Sequence, residues 1–100
     1  MLEKEIEAKL KKRVEELGCM CLKFESPGFT GVPDRIILMP GGLVLFVELK
    51  APGKKERPRQ EYVQKQFRKL GFRVISTVDG EDGINQVVAL IESYLQREQF

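Results

Sequence analysis

The sequence predicts an α/β domain in which helices pack against a small mixed sheet. Three segments carry apolar residues at every third or fourth position, which is the period of a helix face. Four short apolar runs lie between those segments and are typical of strands. The chain has 100 residues, of which 42% are hydrophobic and 32% are charged, as in an ordinary globular domain. We therefore expect a single domain over residues 1–100.

The predicted elements follow one another in the order αβββαβα. The first helix covers residues 3–17. Its apolar residues Ile6, Leu10 and Val14 recur on one face, and Gly18 follows them as a stop signal. The remaining elements are strands at 19–25, 35–39, 43–49 and 72–78 and helices at 59–70 and 84–97.

The composition excludes several function classes. The longest unbroken apolar run, Leu43 to Val47, is far shorter than the roughly 20 residues of a membrane span. The first residues form no apolar signal segment, so we expect a cytoplasmic protein without a membrane partner. The chain has no histidine, which excludes His-based triads and most zinc sites. Cys19 and Cys21 are expected to be reduced core residues, since side chains two apart on a strand are too far apart for an unstrained disulfide.

Positive charge is concentrated in one segment. Residues 50–73 contain nine Lys or Arg against two Glu, although the whole chain has a formal net charge of +2. A basic segment in a nearly neutral protein indicates a localised anionic partner, with a solvated helix face as the alternative. No Gly-rich phosphate loop opens a helix, which argues against a domain that binds a small organic molecule or cofactor.

The hairpin around Pro40-Gly41-Gly42 brings two acids together. If the strands pair symmetrically about Gly41, Asp34 lies directly opposite Glu48, with Cβ atoms about 4.5–5.5 Å apart. Two carboxylates at that distance repel unless a cation lies between them, and Mg²⁺ prefers oxygen ligands. Lys50 is on the same strand face as Glu48. A slip of one residue in the register would turn Asp34 to the other face.

Glu48 also interrupts the apolar run LVLFVEL, which is typical of a buried central strand. A carboxylate in such a strand is costly unless it is paired or bound to a metal. The alternative to a metal site is therefore a buried salt bridge from Glu48 to Lys50 or Arg35.

Two helix residues are candidates to join this pair. Glu7 shares the inner face of the first helix with Leu10, so it could reach the sheet edge. Glu3, one turn earlier, is the competing acid, and a solvated helix glutamate is the alternative for both. Gln60 faces inward near the start of the second helix, within reach of Lys50. An inward Gln more often caps backbone groups than contacts substrate.

These residues resemble the PD-(D/E)xK nuclease signature, with PD at 33–34 and ELK at 48–50. The wider strings SPGFTGVPDR, PGG and FVELKAPGKK, with Gln60 ten residues after the lysine, are similar to the stand-alone VRR-NUC domains of phages and bacteria. The resemblance covers residues 3 to about 78, with the elements in the family's order. It implies an αβββαβ core of the restriction-endonuclease type, followed here by a C-terminal helix.

The resemblance also implies site roles. Archaeal Holliday-junction resolvases share this core, and their helix-one glutamate precedes a glycine by eleven residues, as Glu7 precedes Gly18. The implied ligands of Mg²⁺ or Mn²⁺ are Asp34, Glu48, the Leu49 carbonyl and Glu7. Lys50 would position or help to activate the attacking water, and Gln60 would orient the lysine or a phosphate. The implied DNA contacts are Arg35, Lys54, Lys55, Arg57 and Arg59.

The expected activity is that of a metal-dependent, structure-specific DNA endonuclease. Stand-alone members of the family are associated with homodimers that cut four-way junctions, whereas larger members are DNA-repair nucleases with added domains. Ile91, Tyr94 and Leu95 of the final helix could form a dimer interface or pack on their own sheet. The alternatives are a flap, nicking or general single-strand endonuclease, and a non-catalytic DNA-binding subunit with the same fold.

Overall fold

The computed structural model describes residues 1–98 and confirms the α/β fold, with three helices and a four-stranded mixed sheet. The last two residues of the expected domain, 99 and 100, lie outside the described part. The helices are α1 (Glu3–Glu16), α2 (Pro58–Lys69) and α3 (Glu81–Glu98), and the strands are β1 (Met20–Lys23), β2 (Arg35–Met39), β3 (Leu43–Leu49) and β4 (Arg73–Val78). Within residues 1–98, none of the helices has the length and apolar character to cross a bilayer.

The sheet has the strand order β1-β2-β3-β4, in which the first three strands are antiparallel and β4 is parallel to β3. A 3₁₀ turn, Pro40–Gly42, joins β2 to β3. Arg35 pairs with Val47, and Met39 pairs with Leu43. The predicted symmetry of the hairpin about its central glycine is therefore confirmed, and the next pair in this register is Asp34 with Glu48.

The two faces of the sheet carry different layers. The α1 and α3 helices cover one face, where the fully buried core residues are Ile6, Leu10, Val14, Ile37, Leu45, Val47, Ile84, Val87 and Ile91. Side chains alternate along a strand, so Phe46 points to the opposite face from Leu45 and Val47. There it packs against Phe67 of α2, with ring centroids 4.9 Å apart. The α2 helix thus covers the second face, next to Glu48.

The final helix differs from its prediction in two respects. It begins at Glu81 rather than 84, and Gly83 lies within its first turn. A Cβ atom at Gly83 would meet Val78 at 3.1 Å, so the glycine lets this turn pass close to β4. Ile91 is fully buried in the core of its own chain, so of its two expected roles it has that of packing on its own sheet. Tyr94 is partly buried against the same core.

The two cysteines lie where the sequence predicts. Cys19 and Cys21 are both buried and free, so no disulfide links them. Burial raises the pKa of both thiols, which keeps them protonated and unreactive.

Candidate functional site

Asp34 and Glu48 are tied to each other's strands. The backbone N–H of Asp34 donates to Oε1 of Glu48 at 3.1 Å. In return, the backbone N–H of Leu49 donates to Oδ2 of Asp34 at 3.0 Å. Glu48 is completely buried, whereas Asp34 just before β2 is partly exposed. This reciprocal pair fixes both carboxylates at the end of the hairpin that lies away from the turn.

The second carboxylate oxygen of Glu48 belongs to a closed ring of three side chains. Oε2 accepts from Nζ of Lys50 at 2.8 Å and from Nε2 of Gln60 at 2.8 Å. Nζ of Lys50 also donates to Oε1 of Gln60 at 3.0 Å. The same Oε1 accepts the backbone N–H of Arg57 at 3.0 Å, so Gln60 both caps α2 and orients the lysine. Gln60 is therefore placed both to cap backbone groups and to orient Lys50.

The electrostatics of the Asp34–Glu48 pair favour an added cation. Burial raises the pKa of Glu48, and the nearby charge of Asp34 raises it further, whereas the hydrogen bond from Lys50 opposes the shift. The Glu48–Lys50 salt bridge, the alternative to a metal site, is present. The Lys50 ammonium contacts only Glu48, and a further positive charge nearby would favour the ionised form of Glu48.

Glu7 and Arg35 pair with each other. Arg35 lies two residues before Ile37 on β2, so both side chains point to the α1 face of the sheet. Glu48 lies on the opposite face. Its guanidinium forms a salt bridge with Glu7, its side chain is only 12% exposed, and its Nε has no hydrogen-bond partner within residues 1–98. The contact of Arg35 with DNA stays a prediction, and in this structure its charge is paired with that of Glu7.

A cleft of about 370 Å³ opens between the start of α1 and the end of the hairpin. Its lining includes Glu3, Glu7, Glu25, Asp34 and Leu49. Both candidate helix-one acids therefore face the same space as Asp34. The cleft is the place where a small cation or a phosphate could approach the carboxylate of Asp34 from solvent.

The donor set at this edge fits a hard cation held partly by water. In the described part of the chain, no three Asp, Glu, His or Cys side chains are grouped closely enough to hold a metal by themselves. Oδ2 of Asp34 and Oε1 of Glu48 each accept one backbone N–H, and each carboxylate oxygen has two lone pairs. Mg²⁺ commonly uses one or two carboxylates and keeps several waters. Asp34, Glu48 and the Leu49 carbonyl match that pattern, and Glu7 could join through water.

The basic residues follow the site directly along the chain. Lys54, Lys55, Arg57 and Arg59 are all exposed in the segment between β3 and α2 and in the first turn of α2. Glu56, within this segment, is anchored, because its Oε1 accepts from Nε2 of Gln64 at 3.1 Å and from Oγ1 of Thr77 at 3.2 Å. Glu56 therefore holds the segment that carries these cations against α2 and β4.

Sequence reasoning missed several residues around the site. The pairing of β3 with β4 shifts register between Val47 and Leu49, at Glu48, and Thr77 opposite it has a φ of 56°. No sequence pattern signals this bulge. Two exposed aromatic residues, Phe29 and Tyr62, also lie near the basic segment. The Ser-Pro-Gly-Phe string that presents Phe29 has the composition of a tight turn, which was an available signal.

The chain is similar to known proteins over most of its length, although no protein-family model matches it. It is 42% identical over 80 residues to "Putative nuclease p44" of Acyrthosiphon pisum secondary endosymbiont phage 1, which covers 80% of this chain and 85% of that protein. A solved structure described as "VRR_NUC domain" superposes with a TM-score of 0.76 at 33% identity, covering 92% of this chain and 96% of that one. A "VRR_NUC domain protein" shares the fold, with a TM-score of 0.64 at 21% identity over 96% of this chain and 89% of the other.

Proposed function

The chain belongs to the VRR-NUC nuclease family, and from this premise we propose that it is a metal-dependent, structure-specific DNA endonuclease. The observation that carries the proposal is the cluster of Asp34, Glu48, Lys50 and Gln60, joined by hydrogen bonds at one end of the hairpin. A structural salt bridge needs only Glu48 and Lys50. The second carboxylate, the solvent-facing cleft and the adjacent cations are what phosphodiester hydrolysis requires in addition.

Asp34, Glu48 and the Leu49 carbonyl would hold Mg²⁺ or Mn²⁺ at the edge of the cleft. When bound, the cation polarises a phosphoryl oxygen and lowers the pKa of its bound water. Glu48 remains fixed there because Lys50 and Gln60 both donate to it. The Lys50 ammonium, held by two acceptors, is oriented to position the attacking water. Gln60 keeps that ammonium in place rather than contacting the phosphate.

The basic segment would bind the phosphates that flank the cut. Lys54, Lys55 and Arg57 are exposed and follow Lys50 closely along the chain. Arg57 is also linked to the site, because its backbone N–H donates to Gln60. Contacts of this kind give affinity and orientation without reading the base sequence.

We also propose that the substrate is a four-way junction cut by a homodimer. A symmetric junction needs two related incisions, whereas one chain carries one candidate site. A two-fold dimer supplies two sites with one self-complementary patch. Ile91 is buried in its own core, so of the three apolar residues expected at this interface the final helix could still offer the partly buried Tyr94 and Leu95.

A second candidate function is a flap, nicking or single-strand endonuclease. One specific observation favours it, because Phe29 and Tyr62 are exposed on the side of the site where the basic segment lies. Exposed aromatic residues among cations are typical of surfaces that bind single strands. A non-catalytic DNA-binding subunit is the least favoured candidate, since such a subunit would not need the four-residue cluster.

The test is cleavage of matched junction, flap, fork and duplex substrates with Mg²⁺, with Mn²⁺ and with EDTA. We expect cleavage only with a divalent cation, and paired cuts in the junction. Preferential cleavage of the flap or fork would establish the second candidate. Binding to all substrates without cleavage by either metal would overturn the endonuclease proposal. Glu48→Gln protein prepared in parallel controls for a contaminating nuclease.

A further inference from the structure

Phe29, Arg59 and Tyr62 form a compact group on the surface beside the site. The Phe29 and Tyr62 side chains are 46% and 53% exposed. The guanidinium carbon of Arg59 lies 4.8 Å from the ring centroid of Phe29 and 5.5 Å from that of Tyr62. Nε of Arg59 donates to the carbonyl of Thr30 at 3.1 Å, which fixes the plane of the guanidinium. Exposed apolar surface gathered in one patch is typical of an interaction site.

The position of Phe29 is fixed by a tight turn. The backbone N–H of Phe29 donates to the carbonyl of Ser26 at 3.1 Å. Pro27 and Gly28 occupy the two central positions, and Gly28 has a φ of +81°. This is the pattern of a type II turn, which requires a residue with positive φ at its third position. The ring is therefore presented by a defined turn.

A close contact fixes the Phe29 loop against α2. A Cβ atom at Gly31 would lie 2.9 Å from Cγ of Arg59 and 3.0 Å from Cγ2 of Val63, and the φ of Gly31 is +92°. Only glycine allows the two segments to approach this closely. The loop that carries Phe29 and the helix that carries Arg59 and Tyr62 are thus locked together, so the group is preorganised.

The group adjoins the site through a second cleft. This cleft, of about 360 Å³, is lined by Thr30, Gly31, Val32, Arg57, Arg59 and Gln60. Gln60 therefore contributes to this cleft and also holds Glu48 and Lys50. A nucleotide bound beside Arg59 would lie next to the candidate site along a single strand of DNA.

From these observations we infer that Phe29, Arg59 and Tyr62 form a stacking platform for an unpaired nucleobase of the DNA substrate, a reading that rests on the proposed function. Every base has a flat π face, so aromatic rings bind it without regard to sequence. The guanidinium of Arg59 adds a planar cation that can stack on a base or contact a phosphate. Bases inside a duplex are already stacked and cannot use the platform. The platform therefore selects DNA in which a base near the cut is unpaired, which deepens the second candidate function, a flap, nicking or single-strand endonuclease, rather than the junction proposal.

The test is a comparison of two single strands with identical charge. One is oligothymidylate, and the other has the same number of abasic tetrahydrofuran nucleotides, so only the bases differ. Binding is measured by fluorescence anisotropy in EDTA, so that no cleavage occurs. The wild-type protein is expected to bind the strand with bases more tightly, by roughly 5- to 150-fold for each stacked base. Equal affinity for the two strands would overturn the platform, and this result needs no variant.

Variants assign the effect to the named rings. The Phe29→Leu/Tyr62→Leu protein is expected to lose most of the preference for the strand with bases, because only Arg59 of the platform remains. Phe29→Tyr, which keeps a ring, should retain the preference. Phe72→Leu is the matched control, because Phe72 is also an exposed aromatic residue, at 45%, but lies just before β4. If the double variant folds and keeps the full preference for bases, the platform lies elsewhere and the inference fails.

The platform and the proposed function can fail separately. A protein that discriminates between the two strands in EDTA but cleaves no substrate with Mg²⁺ or Mn²⁺ has the platform without the endonuclease activity. A protein that cleaves branched DNA but binds both strands equally is an endonuclease without the platform.

Discussion

Nε2 of Gln60 donates to Oε2 of Glu48 at 2.8 Å, and this hydrogen bond links the first turn of α2 to the buried strand β3. Glu48 is fully buried, so its charge depends on partners supplied by the protein. The position of α2 thereby controls how the carboxylate and the neighbouring ammonium are held.

Removal of either carboxylate charge should abolish cleavage and leave DNA binding intact. Asp34→Asn and Glu48→Gln keep the side-chain size but weaken the affinity for a cation. We expect the cleavage rate to fall by more than about a hundredfold. Loss of a residue that only hydrogen-bonds to a metal ligand usually lowers activity by about 10- to 100-fold, and loss of a direct ligand should lower it more. The measurement is single-turnover cleavage together with anisotropy of labelled DNA. If both variants keep more than a few percent of activity, the metal-site assignment is wrong.

Lys50 and Gln60 should differ in the size of their effects. Lys50→Met is expected to be folded and inactive, because the ammonium that positions water is lost. Gln60→Leu should lower the cleavage rate by about 10- to 100-fold, because Lys50 then loses one of its two acceptors. Gln86→Leu, an exposed position on α3, serves as the control. A folded and fully active Lys50→Met protein would identify the Glu48–Lys50 pair as purely structural.

The basic segment should contribute affinity for DNA without discriminating between DNA structures. The Lys54→Gln/Lys55→Gln protein is expected to bind junction, flap and duplex DNA more weakly by a similar factor. The log–log slope of affinity against salt should decrease by about 0.9 for each duplex phosphate contact that is lost. Lys4→Gln/Lys12→Gln, which removes two exposed charges from α1, is the matched control. An unchanged slope in the loop variant would place the DNA on another face.

Gly31→Ala should destabilise the fold more than Gly18→Ala. Both glycines have positive φ, so both substitutions carry a backbone strain of about 1–3 kcal/mol. Only at Gly31 would the new Cβ also clash with Arg59 and Val63, since no atom lies within 4 Å at Gly18. Overpacking of this kind adds about 1–3 kcal/mol, which urea unfolding of the two variants would measure. Equal free energies of unfolding would contradict the close contact.

Light scattering should show a homodimer at micromolar concentration, if the protein resolves junctions. Strand-resolved mapping is then expected to show incisions at symmetric positions on two strands, because two related sites act on one junction. A strict monomer that nicks a single strand would remove the junction-resolving proposal. The proposal of a metal-dependent nuclease would still stand in that case.

Much of the hairpin and its contacts could be predicted from the sequence. The prediction needed only the turn centre and the two-residue period of strands, which together place Asp34 opposite Glu48. The proximity of Gln60 to Lys50 followed from the helical period. These are local rules over short segments, so errors of one or two residues at the ends of the elements did not affect them.

Contacts between segments that are distant in sequence could not be predicted in this way. The pairing of Glu7 with Arg35 depends on how α1 crosses the sheet, and periodicity does not fix a crossing. The bulge at Thr77 depends on the pairing of β4 with β3, for which the chain has no turn signal. Ile91 has the same apolar character whether it faces its own core or a partner, so only the packed structure decides its role.

The ring of Glu48, Lys50 and Gln60, together with Asp34, comes from one short contiguous stretch of chain, a hairpin end followed by the start of a helix. The loops that must close to assemble it are short, so the entropic cost of bringing its groups together is small. Residues before Asp34 and after Gln60 supply the supporting core and the residues around the cluster, such as Glu7, Phe29 and Tyr62. Insertions or deletions outside this stretch would leave the spacing of the four groups along the chain unchanged.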